Sequence, residues 1–382
     1  MPEVYLIAAA RTPIGIGKPE RGALFPVAPV DLATHVLQVV VQRAGVDPEL
    51  VEDVILGCVT PIGDQGANIA RLAALKAGFP FAVPGVQLNR MCGSGQQAVH
   101  FAAQAILAGD MDLVVAGGVE MMSHQPLGAD YPEHWPVDFP YQLVHQGISA
   151  ELMAARWNIR REALDDYAYH SHIRAAQAAQ QGRLTRQIAP VRVPTNDGGT
   201  RVVDTDQGVR TTPDRDKMSE LPPVFKEGGV ITAGNSSQIS DAAAAVVLAS
   251  EEFARTHGLK PLARVVARVV VGSNPVLMLD GPIPATKHAL KRAGLRLQDI
   301  DVIEINEAFA SVVLAWQQEL DADLERVNPD GGAIAHGHPL GATGAVLMTK
   351  LVDELHRDNA RLGLQTMCIG HGMATATIIE RV

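Results

Sequence analysis

Gln42-Arg43-Ala44-Gly45, followed by Asp53-Val54-Ile55-Leu56, returns far downstream as Lys291-Arg292-Ala293-Gly294, followed by Asp301-Val302-Ile303-Glu304. Each copy reads as an amphipathic helix closed by Arg-Ala-Gly, a short acidic connection, and a buried strand. Gly just past the last helical residue is a C-cap signal. The two copies read as differing by one residue in the connection. A second correspondence supports the first. Residues 94–109 read as a small-residue helix stopped by Gly109, then a strand Leu113–Ala116, then Gly117-Gly118. Residues 340–357 read as a helix, then a strand Leu364–Ile369, then Gly370. Chance could produce either string, but element order matches as well. Two α/β halves with parallel sheets, arising by internal duplication, are expected.

Between the halves the composition changes. Arg183 to Glu227 is dense in charge, and prolines punctuate 126–140 and 190–223. Helices are expected at Ser149–Trp157 and Arg161–Gln181, the second closed by Gly182. Residues 120–235 thus read as a large insertion folded over the first half. Insertions of this length usually serve as lids or binding loops.

Composition narrows the function. Of 382 residues, 47% are hydrophobic and 19% charged, enough for a large core and unlike a disordered chain. Net charge is −10 and aromatics are 4%, which argues against binding nucleic acid through phosphate neutralisation and base stacking. A small anionic ligand needs only local positive charge. The longest uncharged apolar stretch, Ala242 to Ala249, is far shorter than the ~20 residues of a membrane span. No membrane partner is expected. The N-terminal run has no basic segment before it and reads as a first strand. Cys58, Cys92 and Cys368 are too few for a disulfide framework, so a reducing cytoplasm is expected.

Four clusters could carry chemistry. Cys92 lies in Asn89-Arg90-Met91-Cys92-Gly93-Ser94-Gly95, just ahead of a helix of small residues. A helix N-terminus there would favour thiolate over thiol. The plain alternative is an inert buried cysteine on a glycine turn. His336 and His338 lie in Gly331-Gly332-Ala333-Ile334-Ala335-His336-Gly337-His338-Pro339-Leu340-Gly341. Either could serve as a base for a thiol. In an extended segment they would point to opposite sides. A metal pair or a loop histidine held by hydrogen bonds are the competing readings. Cys368 ends a strand before Gly370-His371-Gly372 and could offer its thiol or sit in the core. Asn306, in Asn306-Glu307-Ala308-Phe309, could cap a helix or hold a catalytic water. Cys58 has only a core reading.

Together these clusters resemble one family, the thiolases. The four strings occur in that family's order and spacing. Further matches are Arg11-Thr12-Pro13-Ile14-Gly15, Gly117-Gly118-Val119-Glu120-Met121-Met122-Ser123 and Thr232-Ala233-Gly234-Asn235-Ser236-Ser237. The resemblance spans the whole chain. It implies an α/β fold, the duplicated thiolase fold: a five-layer α/β/α/β/α core with an inserted loop domain. The expected divisions are 1–119 with 235–255 for the first half, 120–234 for the inserted coenzyme A-binding domain, and 256–382 for the second half.

The resemblance also implies roles. Cys92 would carry the acyl group as a thioester. His338 would be its base and later an oxyanion donor, and Cys368 the second acid/base. Asn306 would fix a water that completes one oxyanion hole with His338. The N–H groups of Cys92 and Gly370 would form the other. Arg210, Ser237, Ala233, Ala308, Phe309 and His145 would line the coenzyme A tunnel. Coenzyme A would be a co-substrate, with no metal and no permanently bound cofactor. A homodimer or homotetramer is implied. The implied reaction is acyl transfer between CoA and a cysteine thioester with cleavage or formation of a carbon–carbon bond. It would be degradative, in fatty-acid or sterol side-chain breakdown, or biosynthetic, making acetoacetyl-CoA. A decarboxylating ketosynthase and a non-catalytic CoA-ester binder are the remaining alternatives.

Three positions depart from the family pattern. His371 stands in a run that is commonly Gly-Gly-Gly. His336 replaces an aliphatic residue. Gln146 replaces a methionine common in short-chain biosynthetic members. These departures bear on the acyl group accepted more than on the reaction class.

Overall fold

A computed structural model describes residues 3–382. The first half contains β1 (Val4–Arg11), β2 (Gly15–Ile16), α1 (Pro29–Ala44), β3 (Asp53–Gly57), α2 (Ile69–Ala77), β4 (Gly85–Leu88), α3 (Ser94–Ala108) and β5 (Leu113–Met121). An excursion comes next, with α4 (Gln146–Arg156), α5 (Arg161–Gln180), β6 (Val191–Pro194), β7 (Thr200–Val203) and α6 (Arg215–Ser219). The chain then returns to the first half through β8 (Ser240–Ser250) and α7 (Glu251–Thr256). The second half holds β9 (Ala263–Gly272), α8 (Pro282–Ala293), β10 (Val302–Ile305), α9 (Ala310–Leu320), α10 (Ala333–His336), α11 (Leu340–Arg357), β11 (Leu362–Ile369) and β12 (Met373–Arg381).

Strand order states the duplication. The first half runs β1-β8-β5-β3-β4 and the second β9-β12-β11-β10. In both, the inner pair is parallel, β3 with β5 and β10 with β11. β3 also pairs parallel with β4, and the remaining pairings of the two halves are antiparallel, β5–β8 and β1–β8 against β11–β12 and β9–β12. The sheets are therefore mixed and not parallel as expected, because β8 and β12 return beside their predecessors. The fifth strand, β4, has only a single-residue counterpart, a parallel bridge from Ile303 to Val327. β1 and β9 join the two sheets through a short contact at Tyr5 and Leu6.

Register corrects the sequence alignment of the halves. The Glu52 carboxylate accepts from the backbone N–H of Asp112 and Leu113. Asp301 does the same for Arg361 and Leu362. Glu52, not Asp53, is thus the counterpart of Asp301, and the connections are equal in length. Gly45 and Gly294 close their helices in one left-handed conformation, φ 67° and ψ 29° against φ 68° and ψ 29°.

The strands bury both faces, so they read as continuous apolar runs. Val54 and Leu56 of β3 face an outer core with α1 and α2, while Ile55 faces the centre. Leu113 and Val115 of β5 point outward, Val114 and Ala116 inward. On the far side, Ile303 and Ile305 face an outer core with α8 and Trp316, while Val302 faces the centre. The central layer is α3 against α11. A side chain on Gly344 would meet the backbone N of Gln96 at 2.0 Å, so the small residues permit the close crossing. This is the expected five-layer α/β/α/β/α core.

The excursion does not simply cover the first half. Its hairpin, through Val191, Val193 and Val203, joins the first half's outer core. Its helices α4 and α5, through Ala150, Met153, Ala154, Leu164 and Ala168, bury themselves with Phe309, Val312 and Ala315 of the second half. The apolar face of a helix settles where an unpartnered apolar face awaits it, and α9 offers one. Among the described residues no helix is long and apolar enough to cross a membrane.

Candidate active site

Cys92 stands between β4 and α3. The Ser94 hydroxyl accepts from Arg90 N (2.8 Å) and donates to Met91 O (2.6 Å), closing a tight turn with Met91 at φ 45°. The thiol is buried among Val59, Met122, Leu340, Met367 and Ile369. Burial pushes it up to about 11, against hydrogen bonds from the Gly370 backbone and the Gln146 side chain. The expectation that the helix N-terminus yields a thiolate is therefore corrected. In this apolar pocket desolvation outweighs the helix dipole, and the resting group is a thiol.

His338 occupies the matching place in the second half, two residues ahead of α11 as Cys92 is ahead of α3. The segment before it is a helical turn, not extended. His336 ends α10, and Gly337 at φ 121° turns the chain away. His338 Nδ1 lies 2.7 Å from Thr343 Oγ1, and Nε2 lies 3.3 Å from Asn306 Nδ2. An amide N–H can only donate, so this arrangement places the ring proton on Nδ1 and makes the unprotonated Nε2 the acceptor of the Asn306 bond. Burial pushes His338 down to about 4, so its imidazole is neutral.

Asn306 lies just past β10 and does not cap α9, whose N-cap is Phe309 without a side-chain bond. Its Oδ1 is buried and lacks a partner among the described residues. Cys368 is the penultimate residue of β11, buried against Ala308, Phe309 and Ile334. Burial pushes its thiol well above the ordinary range, and the charge of a nearby Cys92 thiolate would push it further. Gly370 opens the turn from β11 to β12. Gly370 and Cys368 thus lie close to Cys92, Asn306 meets His338, and Leu340, two residues beyond His338, packs with Cys92. Cys58 lies apart, its Sγ 4.0 Å from Glu120 Oε1 and its thiol pushed up by burial.

The coenzyme A candidates form one strip with an outlier. Ser237 N donates to Ala308 O (3.0 Å), and Ser236 bridges Phe309. Phe309 meets Phe225 edge-on at 6.0 Å, and Phe225 stacks on His145 at 5.1 Å. Ala233 is exposed on the loop leading into Ser237. Arg210 is exposed farther along, its backbone N–H donating to His172 Nδ1 of α5 (3.3 Å).

Several supporting groups escaped sequence reading. Gln238 donates to Gly208 O, Ile334 O and Ala335 O, and its carbonyl accepts from His338 N (3.0 Å). His336 Nδ1 lies 2.8 Å from Asp206, which also pairs bidentately with Arg11, and Nε2 lies 2.8 Å from Asp330 O. The excursion is thereby bolted to the His338 loop. Glu307, buried, accepts from Tyr167, Ser171, Asn328 and Ile334 N. Glu120, also buried, accepts from Val59 N, Thr60 N, Gln65 and Gly341 N, joining β5 to the start of α11. Glu120 and Glu304 to Glu307 stand out in the sequence as polar residues beside apolar runs, whereas Asp206 and Gln238 lie in polar stretches that give no signal.

Comparison with known proteins bears on the family and the fold. Residues 4–252 match the family model described as thiolase, N-terminal domain, and residues 259–381 match thiolase, C-terminal domain. The chain is 46% identical to the steroid 3-ketoacyl-CoA thiolase FadA6 of Mycobacterium tuberculosis, over 100% of this chain and 95% of that protein. It is 42% identical to the acetyl-CoA acetyltransferase of Chromobacterium violaceum, over 99% and 100%. The crystal structure of the Bacillus anthracis acetyl-CoA acetyltransferase superposes with a TM-score of 0.92 at 39% identity, over 100% of this chain and 99% of that one.

Proposed function

Since the chain belongs to the thiolase family, an acyltransferase family with coenzyme A as co-substrate and no permanent cofactor, we propose that it works degradatively, cleaving 3-ketoacyl-CoA with CoA. The observation that carries this reading is a neutral histidine whose unprotonated Nε2 accepts from Asn306, in a chain that also buries the free thiols of Cys92 and Cys368. Cys92 gives its proton to His338 Nε2 and attacks the C3 carbonyl. The bond from C2 to C3 breaks, and its electron pair passes to C2. Cys368 protonates C2, and acetyl-CoA leaves. CoA then loses its thiol proton to the Cys368 thiolate and attacks the acyl group on Cys92. The departing Cys92 sulfur recovers its proton from His338.

Negative charge appears on two different carbonyl oxygens in this sequence. One preorganised oxyanion donor is worth roughly 3–4 kcal/mol, so two holes are needed. The N–H groups of Cys92 and Gly370 suit the oxygen next to the acyl carbon. His338, with a water on Asn306, suits the enolate oxygen of acetyl-CoA. The orphaned Oδ1 of Asn306 supports a water there. Coenzyme A is assigned to the strip of Ser237, Ala233, Ala308, Phe309 and His145, with Arg210 supplying positive charge for its phosphates.

Divisions at 1–119 with 235–255, 120–234 and 256–382 fit this scheme, because each part contributes a group to one site. A homodimer or homotetramer is proposed, with β4 at the contact. It ends its sheet, and Val86 on it, Leu72 and Leu75 on α2, and Phe81 between them are exposed. Three free cysteines, two of them required as thiols, suit the reducing cytoplasm.

Intact-mass measurement after incubation with acetyl-CoA tests the division of labour. The wild type and Cys368→Ala should gain one acetyl group, while Cys92→Ala should gain none. Cys368→Ala should load yet fail to make or break the carbon–carbon bond. Equal loss of loading in both variants would refute the assignment.

A further inference from the structure

Two residues ahead of His338 stands a second histidine that the mechanism leaves idle. His336 is 4% exposed, and both of its ring nitrogens are engaged. Nε2 lies 2.8 Å from the backbone oxygen of Asp330, and Nδ1 lies 2.8 Å from Asp206 Oδ2. A carbonyl oxygen can only accept, so Nε2 carries a proton. Asp206 is an ionised carboxylate. Arg11 Nη1 and Nη2 donate to it at 2.8 and 3.0 Å, and Ile14 N at 2.9 Å. Against its burial, the Arg11 guanidinium and His336 hold its carboxyl well below the usual carboxylate range. An ionised carboxylate also only accepts, so Nδ1 carries a proton as well. With one proton alone, the ring would set a lone pair against an oxygen at one end.

The other charged and titratable groups around this ring have partners of their own. On α5, His172 accepts from Arg210 N at its Nδ1, and burial, aided by the charges of Arg210 and His336, pushes it down to about 4, so it stays neutral. The Asp330 carboxylate is held by Arg183 and Arg357, and Glu307 by Tyr167, Ser171, Asn328 and Ile334 N. Lys350 pairs with Glu304 and donates to Gly331 O. A buried charge persists where it is both paired and hydrogen-bonded, and Asp206 with the Asp330 carbonyl meets both conditions. The two partners belong to different parts of the chain. Asp206 lies in the excursion just ahead of Arg210, and Asp330 in the second half. Gly337, at φ 121°, is all that separates His336 from His338. With both nitrogens spent, His336 has no polar atom left for an acyl group.

We infer that His336 is a buried imidazolium and a positioning residue: its two N–H groups clamp the loop bearing His338 to the excursion bearing Arg210, and so hold the base in register with the coenzyme A strip. This rests on His338 as the base for Cys92. An aliphatic side chain fills similar space but offers neither donors nor charge. It would leave the Asp330 carbonyl without this partner and Asp206 with Arg11 and Ile14 N only. The loop bearing the base would then be free to shift against the excursion. A displacement on the order of 1 Å at a reacting group can cost about a hundredfold in rate, so even a partial shift is measurable.

Two measurements on the full chain test this. In protein carrying the heavy isotope of nitrogen at histidine, NMR at neutral pH should show a proton on each ring nitrogen of His336, its signal being identified by its loss in His336→Gln. A singly protonated ring overturns the inference. The second measurement is the rate at which Cys92 gains an acetyl group at saturating acetyl-CoA, followed by intact mass, in the wild type, His336→Leu and His336→Gln. Glutamine can donate to one of the two acceptors but brings no charge. Both variants should load about tenfold more slowly than the wild type, with unchanged circular dichroism. Loading of His336→Leu at the wild-type rate assigns the ring to filling space and overturns the inference alone. Failure of both variants to fold makes the clamp a matter of stability and also overturns it. Absence of loading in the wild type overturns the roles of Cys92 and His338, and this inference with them, whatever the ring signal shows.

Discussion

The two halves share a frame and differ at its ends. In both, a helix capped by Gly leads through a short helical turn to the inner parallel strand, and a central helix leads to its neighbour. Cys92 and His338 stand at corresponding places, each two residues ahead of a central helix. Beyond the neighbouring strand the halves diverge. From β11 the chain turns back within Gly370 to Gly372, whereas from β5 it departs at Met121 and returns only at Ser240. One copy thus keeps a tight turn whose backbone reaches the Cys92 sulfur. The other grew the segment that carries Gln146 and Tyr131 to the same place. Duplication supplied one junction twice. Opposite uses of it, a short turn and a long excursion, bring the reacting groups and the surfaces around them together.

The buried carboxylates sharpen this contrast. Glu120 ties the first half to the start of α11, and Glu307 ties the second half to α5 of the excursion. Glu120→Ala would strand four buried donors, each costing roughly 1–3 kcal/mol. A loss of about 4 kcal/mol or more in chemical denaturation is expected, with activity lost as α11 and His338 shift. Glu307→Ala should destabilise on a similar scale but should first expose α5 to proteolysis. Identical cleavage patterns for the two variants would break the assignment of separate tasks.

Acid offers a second, smaller perturbation. His338 and His172 are pushed down to about 4 and His100 to about 3, in each case chiefly by burial. The unfolded chain takes up these protons near 6.5 while the folded chain resists. Stability is therefore complete above about pH 6.5 and falls as pH drops toward 4. His338 alone contributes on the order of 3 kcal/mol across that window. Urea titrations at pH 7.5, 6, 5 and 4 should show the midpoint falling stepwise. A flat profile would mean that these rings are not buried neutral.

The smallest effect tests the frame itself. Gly45 and Gly294 share one left-handed cap, and an added Cβ on either would meet no atom within 4 Å. Gly45→Ala and Gly294→Ala should therefore each cost about 1 kcal/mol, by backbone strain alone. A large inequality between the two in thermal denaturation would show that the halves are not equivalent at this point.

The amino-acid sequence by itself settled the repeated frame, because helix caps and apolar runs are local and each copy displays them. It offered Cys92, His338, Cys368 and Asn306 as candidates with inert readings left open, and their roles came from the resemblance of the surrounding strings to one family. It misaligned the halves by one residue, because Asp53 resembles Asp301 while only the backbone bonds reveal Glu52 as the partner. It could weigh only the helix dipole at Cys92, which is set by chain direction, whereas desolvation depends on Met122, Leu340, Met367 and Ile369 arriving from distant segments. It could not show that Gln238, Asp206 and Glu307 secure the His338 loop, nor that Tyr131 meets His371. Those contacts join residues far apart in the chain, and only the folded arrangement of all five layers and the excursion decides them.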